Sequence, residues 1–397
     1  MKKYSFLFLT ILICASLQAQ EASFASRLHQ FSPLADIHVC NLGLEDRNGS
    51  GTIDRGDGEG YEEFIEKYGN ADTGFYANGV IIGANNGRLE ENEILNHYYI
   101  NIRFKPAFME ETGNIDEAVT SYAYANSVPL VWLDDEQGTV MNAITRVLGE
   151  GWNEREVAED EAVRMFNRAV QGMRIIGRIG QPSNNGGYYS LPEMVNRRAG
   201  YCFEAAQFGF WFFSELKINS VSALAALNQS ISHEVVRLNS GRRVDYFGSS
   251  NRYNIPADNW HVANPLQSIG TYYRVKGDVS ANQNMLEQAV IHDKHSIDNI
   301  GRLMDFYFNN TNSPNYTSIK TLGEFFLENN DIANILSARR ANPDIVKNKV
   351  KIILLMLLVS YSETNNKPGT ERISVLLQRH YPRDAVANVY LNTYSLY

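Results

Sequence analysis

Three side chains able to do covalent chemistry together fall within one stretch, in the order Cys202, His233, Asp245. A thiolate is a nucleophile, an imidazole can move its proton, and a carboxylate can hold the imidazole in one tautomer. Cys202 opens the run Phe203-Glu-Ala-Ala-Gln-Phe-Gly-Phe-Trp-Phe-Phe-Ser-Glu-Leu, which reads as a helix apolar on nearly every face. Such a helix must be buried. At its N-terminus the unpaired N–H groups and the positive dipole end favour thiolate over thiol. Gly200, just before the cysteine, is expected to give the chain a sharp turn into the helix. The plainer alternative is a buried thiol and a satisfied imidazole with no joint chemistry.

The elements around these residues are readable in outline. Ser220-Val-Ser-Ala-Leu-Ala-Ala-Leu and Ile231-Ser-His-Glu-Val-Val-Arg-Leu read as strands, and a turn at Asn239-Ser-Gly leads into Arg242-Arg-Val-Asp-Tyr-Phe. If the last two pair as a hairpin, His233 and Asp245 lie on adjacent strands. Glu154 to Ile176 is an amphipathic helix ahead of this region. Gly180-Gln-Pro-Ser-Asn-Asn-Gly-Gly is a loop, and Gln181 or one of its asparagines is a candidate oxyanion donor.

A glycine before a cysteine on an apolar helix, with His and Asp on successive strands, resembles the transglutaminase-like superfamily. The matching pieces are Arg198-Ala-Gly-Tyr-Cys-Phe-Glu-Ala-Ala, His233-Glu-Val-Val and Val244-Asp245, within residues 150–275. The resemblance implies Cys202 as nucleophile, His233 as base and Asp245 as the orienting acid. It also implies a papain-like fold and acyl transfer from peptide or side-chain amides, as a peptidase, amidase or cross-linking enzyme. Two departures bear on substrate. Many members carry a tryptophan soon after the histidine, where Glu234 and Val235 stand here, and many continue Asp-Pro where this chain has Asp245-Tyr246. His261 is a second candidate base, but it follows Asp245 and would break the family's order.

A separate constellation lies upstream, in Asp46-Arg-Asn-Gly-Ser-Gly-Thr-Ile-Asp-Arg-Gly-Asp. Read as a twelve-residue calcium loop, it puts Asp46, Asn48, Ser50, Asp54 and Asp57 at positions 1, 3, 5, 9 and 12, with Gly51 at 6 and the Thr52 carbonyl at 7. This resembles an EF-hand loop with the aspartate at position 12 of dockerin-type loops, and it implies Ca²⁺. Ile53 at position 8 suits the small strand that couples paired loops. A degenerate second loop runs from Ile82 to Glu93, with Gly87 at position 6, Leu89 at 8 and Glu93 at 12. Ile82 and Ala84 occupy its first two ligating positions and offer no side-chain oxygen.

The N-terminus has a basic start, a short apolar run and a small residue at Ala19, which describes a secretory signal peptide. Its apolar core is too short to span a bilayer, so the chain is expected to be exported, periplasmic or secreted, without a transmembrane anchor. Losing Lys2 and Lys3 with that leader leaves 34 basic against 45 acidic residues, a charge of −11. Such acidity argues against nucleic acid as a partner. Removal of the leader leaves Cys40 and Cys202, which could pair in an oxidising compartment. The expected fold class is α+β. A signal peptide over 1–20 precedes a helical region with EF-hand-like calcium loops over 21–115. A papain-like transglutaminase core, helix on antiparallel sheet, follows over 145–275, and an all-α C-terminal domain over 280–397 offers a surface for a protein partner. A protein or peptide is the expected substrate. The competing class is a non-catalytic, calcium-stabilised scaffold that retains the fold.

Overall fold

The computed structural model describes residues 53–54, 74–78, 80–89, 93, 131–177, 188–218, 220–227, 231–238, 240–246, 260–309, 313–338 and 343–395. Among these the chain is mostly helical with small sheets, an α+β arrangement in the broad sense. The described residues fall into two compact units, one ending at Val275 and the other beginning at Lys276.

Among the described residues the first unit opens with four short strands in two antiparallel pairs. β1 (Ile53–Asp54) pairs antiparallel with β4 (Arg88–Leu89), and β2 (Phe75–Ala77) pairs with β3 (Val80–Ile82). Three helices follow in sequence: α1 (Thr139–Leu148), α2 (Glu159–Gly172) and α3 (Leu191–Arg197). β5 (Ile176–Gly177) runs parallel to β6 (Ala199–Gly200), and β6 leads directly into α4 (Cys202–Glu215). A four-stranded antiparallel sheet comes next, in the order β10-β7-β8-β9, from β7 (Ser220–Leu227), β8 (Ile231–Leu238), β9 (Arg243–Val244) and β10 (Trp260–Val262).

The centre of this unit is aromatic. Helix α4 buries Phe208, Phe210, Trp211, Phe212 and Phe213, as an all-round apolar helix must. Trp152 stacks on Phe212 with ring centroids 4.8 Å apart, and Phe166 of α2 packs among Phe208, Phe212 and Phe213. Fully burying a side chain of this size is worth roughly 1.5–3 kcal/mol, so these contacts hold α4 in place. Two glycines allow the close approaches. A Cβ on Gly209 would lie 2.7 Å from Val236 Cγ2, so the glycine lets α4 rest directly on β8. Gly200 differs from expectation: its φ is not in the left-handed region, and it lies within a strand pair rather than a turn. Its missing side chain instead makes room for Met194, whose sulfur would lie 2.8 Å from a Cβ there.

Helix α5 (Pro265–Ser280) was not expected from the apolar pattern. Its start signal is the Asn264-Pro265 pair. The Asn264 carboxamide oxygen accepts from Leu266 N at 2.9 Å and Gln267 N at 3.3 Å, and proline suits the first helical position.

The second unit is helical among its described residues: α6 (Gln283–His292), α7 (Ile297–Asn309), α8 (Tyr316–Asn329), α9 (Ile332–Ser337), α10 (Pro343–Glu363), α11 (Lys367–His380) and α12 (Ala385–Tyr394). Five helices start on an Asn or Asp whose side chain accepts from a first-turn N–H: Asn282, Asn315, Asp331, Asn366 and Asp384. Helix α10 is the axis of this core, with Val350, Ile353, Leu354, Leu357 and Leu358 fully buried. No helix among the described residues is long and apolar enough to cross a membrane.

Candidate active site

Cys202 is the first residue of α4, and it is a free thiol. The start of this helix is held by Glu204, its third residue, which is fully buried. One carboxylate oxygen of Glu204 accepts from the backbone N–H of Tyr201, the residue capping the helix. The other accepts from Tyr189 N at 2.6 Å. A single side chain therefore ties the helix start to the segment that enters α3, two pieces separated by a dozen residues in sequence.

His233 stands on β8 and Asp245 directly follows β9, the antiparallel partner of β8. The hairpin turn between them closes through Leu238 N to Arg242 O and Gly241 N to Leu238 O, both 2.8 Å, with Gly241 at φ +85°. That is a conformation glycine adopts without penalty. His233 Nε2 lies 2.8 Å from Asp245 Oδ2, and the two side chains are 4% and 8% exposed. The Cys202 side chain lines the same cavity as the imidazole. The structure thus brings the three residues together, with His233 bonded to Asp245 and sharing a cavity with Cys202.

Burial alone would lower the pKa of His233, because it penalises the imidazolium. The hydrogen bond to Asp245, with the influence of Asp245 and the nearby Cys202 on the imidazolium, outweighs that and raises it to about 9. His233 is therefore cationic at neutral pH, the state that stabilises an adjacent thiolate.

Trp260 on β10 completes this corner. The register pairs Ala225 of β7 with both His233 and Trp260, and the two rings approach edge-on at 6.3 Å. The Arg243 guanidinium lies over the indole at 4.7 Å. An indole thus reaches the imidazole from two strands away. Sequence order hid this, since Trp260 is recruited only by the β10-β7-β8 neighbourhood. His261, the rival base, is one residue further along β10, in register with Leu224.

Glu234 is buried at 5% exposure and accepts from Gln207 Nε2 of α4 at 3.1 Å. This is a second tie between α4 and β8. Glu234, Cys202 and His233 border a cavity of about 180 Å³, lined also by Tyr188, Phe203, Ala263, Asn264, Gln267, Ser268 and Thr271. Behind it Trp132, fully buried, donates from its indole to Ser268 O at 3.2 Å and meets Tyr188, Phe203 and Tyr272 edge-on. Burial, followed by the charges of Glu234, Cys202 and Glu204, pushes the Tyr188 phenol well above its usual value, with Arg274 opposing.

Of the proposed calcium ligands, Asp46, Asn48, Ser50, Thr52 and Asp57 lie outside the described residues, as do Gln181, Cys40 and the leader. Asp54 is in β1, with Arg88 opposite. The register pairs Ile53 with Leu89, the residues at position 8 of the two loops. Gly87, at position 6 of the second loop, has φ +79°, and the buried Glu93 at position 12 accepts from Gly74 N at 2.6 Å. Among the described residues no group of three or more His, Cys, Asp or Glu is placed to hold a metal ion.

Compared with protein-family models, curated proteins and solved structures, the chain has no match.

Proposed function

We propose that this protein is a cysteine-dependent acyl-transfer enzyme acting on peptide or side-chain amides. The observation that carries the reading is the imidazole of His233, bonded to Asp245 at 2.8 Å, in the cavity that Cys202 lines from the head of a buried helix. Cysteine, histidine and aspartate in this order, on helix and successive strands, are also what the resemblance to transglutaminase-like proteins requires. In the reaction, the Cys202 thiolate forms a bond to the amide carbon while the carbonyl electron pair moves to oxygen. Collapse of that intermediate expels the amine, which takes its proton from the His233 imidazolium. Water then gives hydrolysis, and a second amine gives cross-linking. Asp245 keeps the imidazole in the tautomer that can do both transfers, and Trp260 shields the pair from water.

The test compares alkylation of Cys202 across pH in the parent, in Cys202→Ala and in His233→Ala, together with turnover of a peptide amide. In the parent the thiol reacts rapidly at neutral pH, and His233→Ala slows it there while abolishing turnover. A thiol whose reactivity ignores His233 would replace this reading with the non-catalytic scaffold.

A calcium role belongs to the same proposal. The pairing of Ile53 with Leu89 supports two coupled loops, of which the first, through Asp46, Asn48, Ser50, Thr52, Asp54 and Asp57, holds Ca²⁺. The second is a structural partner, its terminal glutamate occupied by a backbone N–H. Export, as the N-terminal run suggests, would supply the calcium. Titration calorimetry showing equal Ca²⁺ affinity in Asp46→Ala and parent would remove this part.

A further inference from the structure

Attack by Cys202 creates negative charge on the former carbonyl oxygen, and a site that lowers that barrier presents donors already in place. Tyr188 borders the same cavity as Cys202 and His233. Its ring lies against Phe203, the residue after the nucleophile, with centroids 4.4 Å apart, and meets Trp132 edge-on at 6.4 Å. The backbone beyond it is tied to the head of α4, because the buried Glu204 accepts from both Tyr189 N and Tyr201 N. The phenol is thus carried on the same rigid body as the thiol. We infer that the Tyr188 hydroxyl is the side-chain donor to the oxyanion formed at Cys202, an inference that rests on the acyl-transfer reading above.

The Cys202 N–H, which has no acceptor within its own helix, is the natural second donor. The surroundings of Tyr188 also keep it neutral, since burial and nearby carboxylates hold its proton on. It therefore stays a donor throughout the range in which the imidazolium exists. Glu204 is the positioning residue for this donor, acting through the backbone and touching no reacting atom.

Two reactions of the same thiol separate this role from any other. With iodoacetamide the sulfur–carbon bond forms as the carbon–iodine bond breaks and iodide leaves, so no oxyanion arises. With p-nitrophenyl acetate the sulfur adds to the carbonyl carbon, the electron pair passes to oxygen, and collapse expels p-nitrophenolate. Tyr188→Phe keeps the ring packing and removes only the hydroxyl. The expected result is acylation slowed by about 10²–10³-fold, with the alkylation rate and its pH profile unchanged. Equal losses in both reactions, or undiminished acylation, would overturn the assignment while leaving the Cys202–His233 reading in place. A parent protein that is alkylated but never acylated at Cys202 would overturn both.

Discussion

Both units bury polar side chains, and they use them differently. In the helical unit most of these groups serve their own or a neighbouring helix. Ser360 donates to Met356 O, Thr370 to Asn366 O and Asn330 to Phe326 O, while Asn299 donates to Ala289 O of the preceding helix. In the unit carrying Cys202 they tie helix to strand, strand to strand and helix start to the entering segment: Gln207 to Glu234, His233 to Asp245 and Glu204 to Tyr189. The first pattern satisfies backbone groups that burial would otherwise orphan. The second fixes one element's position against another, which stability alone does not require and catalysis does. The contrast teaches that the number of buried polar groups is a poor guide to a site. The guide is which elements they connect.

The largest expected effect on that contrast comes from Asp245→Asn. It preserves shape but allows the wrong imidazole tautomer, and turnover should fall by up to about 10⁴-fold with little change in fold by circular dichroism. Turnover within a few-fold of the parent would show that the His233–Asp245 contact is structural.

A matched pair of glycines gives the next test. In Gly209→Ala the new methyl meets Val236 and Phe166, and in Gly323→Ala it meets Leu357, at similarly tight distances of 2.7 and 2.8 Å. Overpacking costs about 1–3 kcal/mol in each, offset in part by the better helix propensity of alanine. Only the first shifts α4 against β8, and so Cys202 against His233. Turnover should fall roughly 10²-fold in Gly209→Ala and stay at the parent's level in Gly323→Ala. Equal turnover in the two variants would erase the distinction between the units.

The smallest effect is on stability against pH. His233 titrates at about 9 in the folded protein against 6.5 when unperturbed. A raised value means the folded state holds the proton more tightly, so this stabilisation is complete below about pH 6.5 and is lost as pH rises through about 9. At 1.36 kcal/mol per unit the loss is on the order of 3 kcal/mol. Melting temperatures between pH 6 and 10 should therefore decline in the parent and flatten in His233→Ala. Turnover should decline over the same alkaline limb, as the general acid is lost. A parent curve flat to pH 10 would contradict the charged pair.

Legibility in the sequence followed distance along the chain. Cys202 at the head of an apolar helix depends on one run of residues, and the nearness of His233 to Asp245 depends on two short strands and a turn at Asn239-Ser-Gly. The first five helices of the second unit are visible for the same reason, through repeating apolar positions over 285–361, whereas α11 and α12 are not marked out individually. Glu204 left a readable trace as well, an acid at the third position of a helix, where a side chain can reach back to the cap. Its second bond, to Tyr189, left none.

Composition and pattern by themselves determined that α4 is buried, that its first residue is a cysteine, and that a histidine and an aspartate stand across one hairpin. Tertiary structure alone decided that α4 rests on β8, through the space left at Gly209, and that the thiol and the imidazole line one cavity. It also decided that Trp260 reaches His233 across β7 and that Tyr188 shares the nucleophile's cavity. The physical reason is that hydrogen-bonded turns and helix starts are set by neighbours in the chain. Sheet order and helix-on-sheet contact are set by which surfaces fit after the chain has collapsed, and no local pattern encodes that fit.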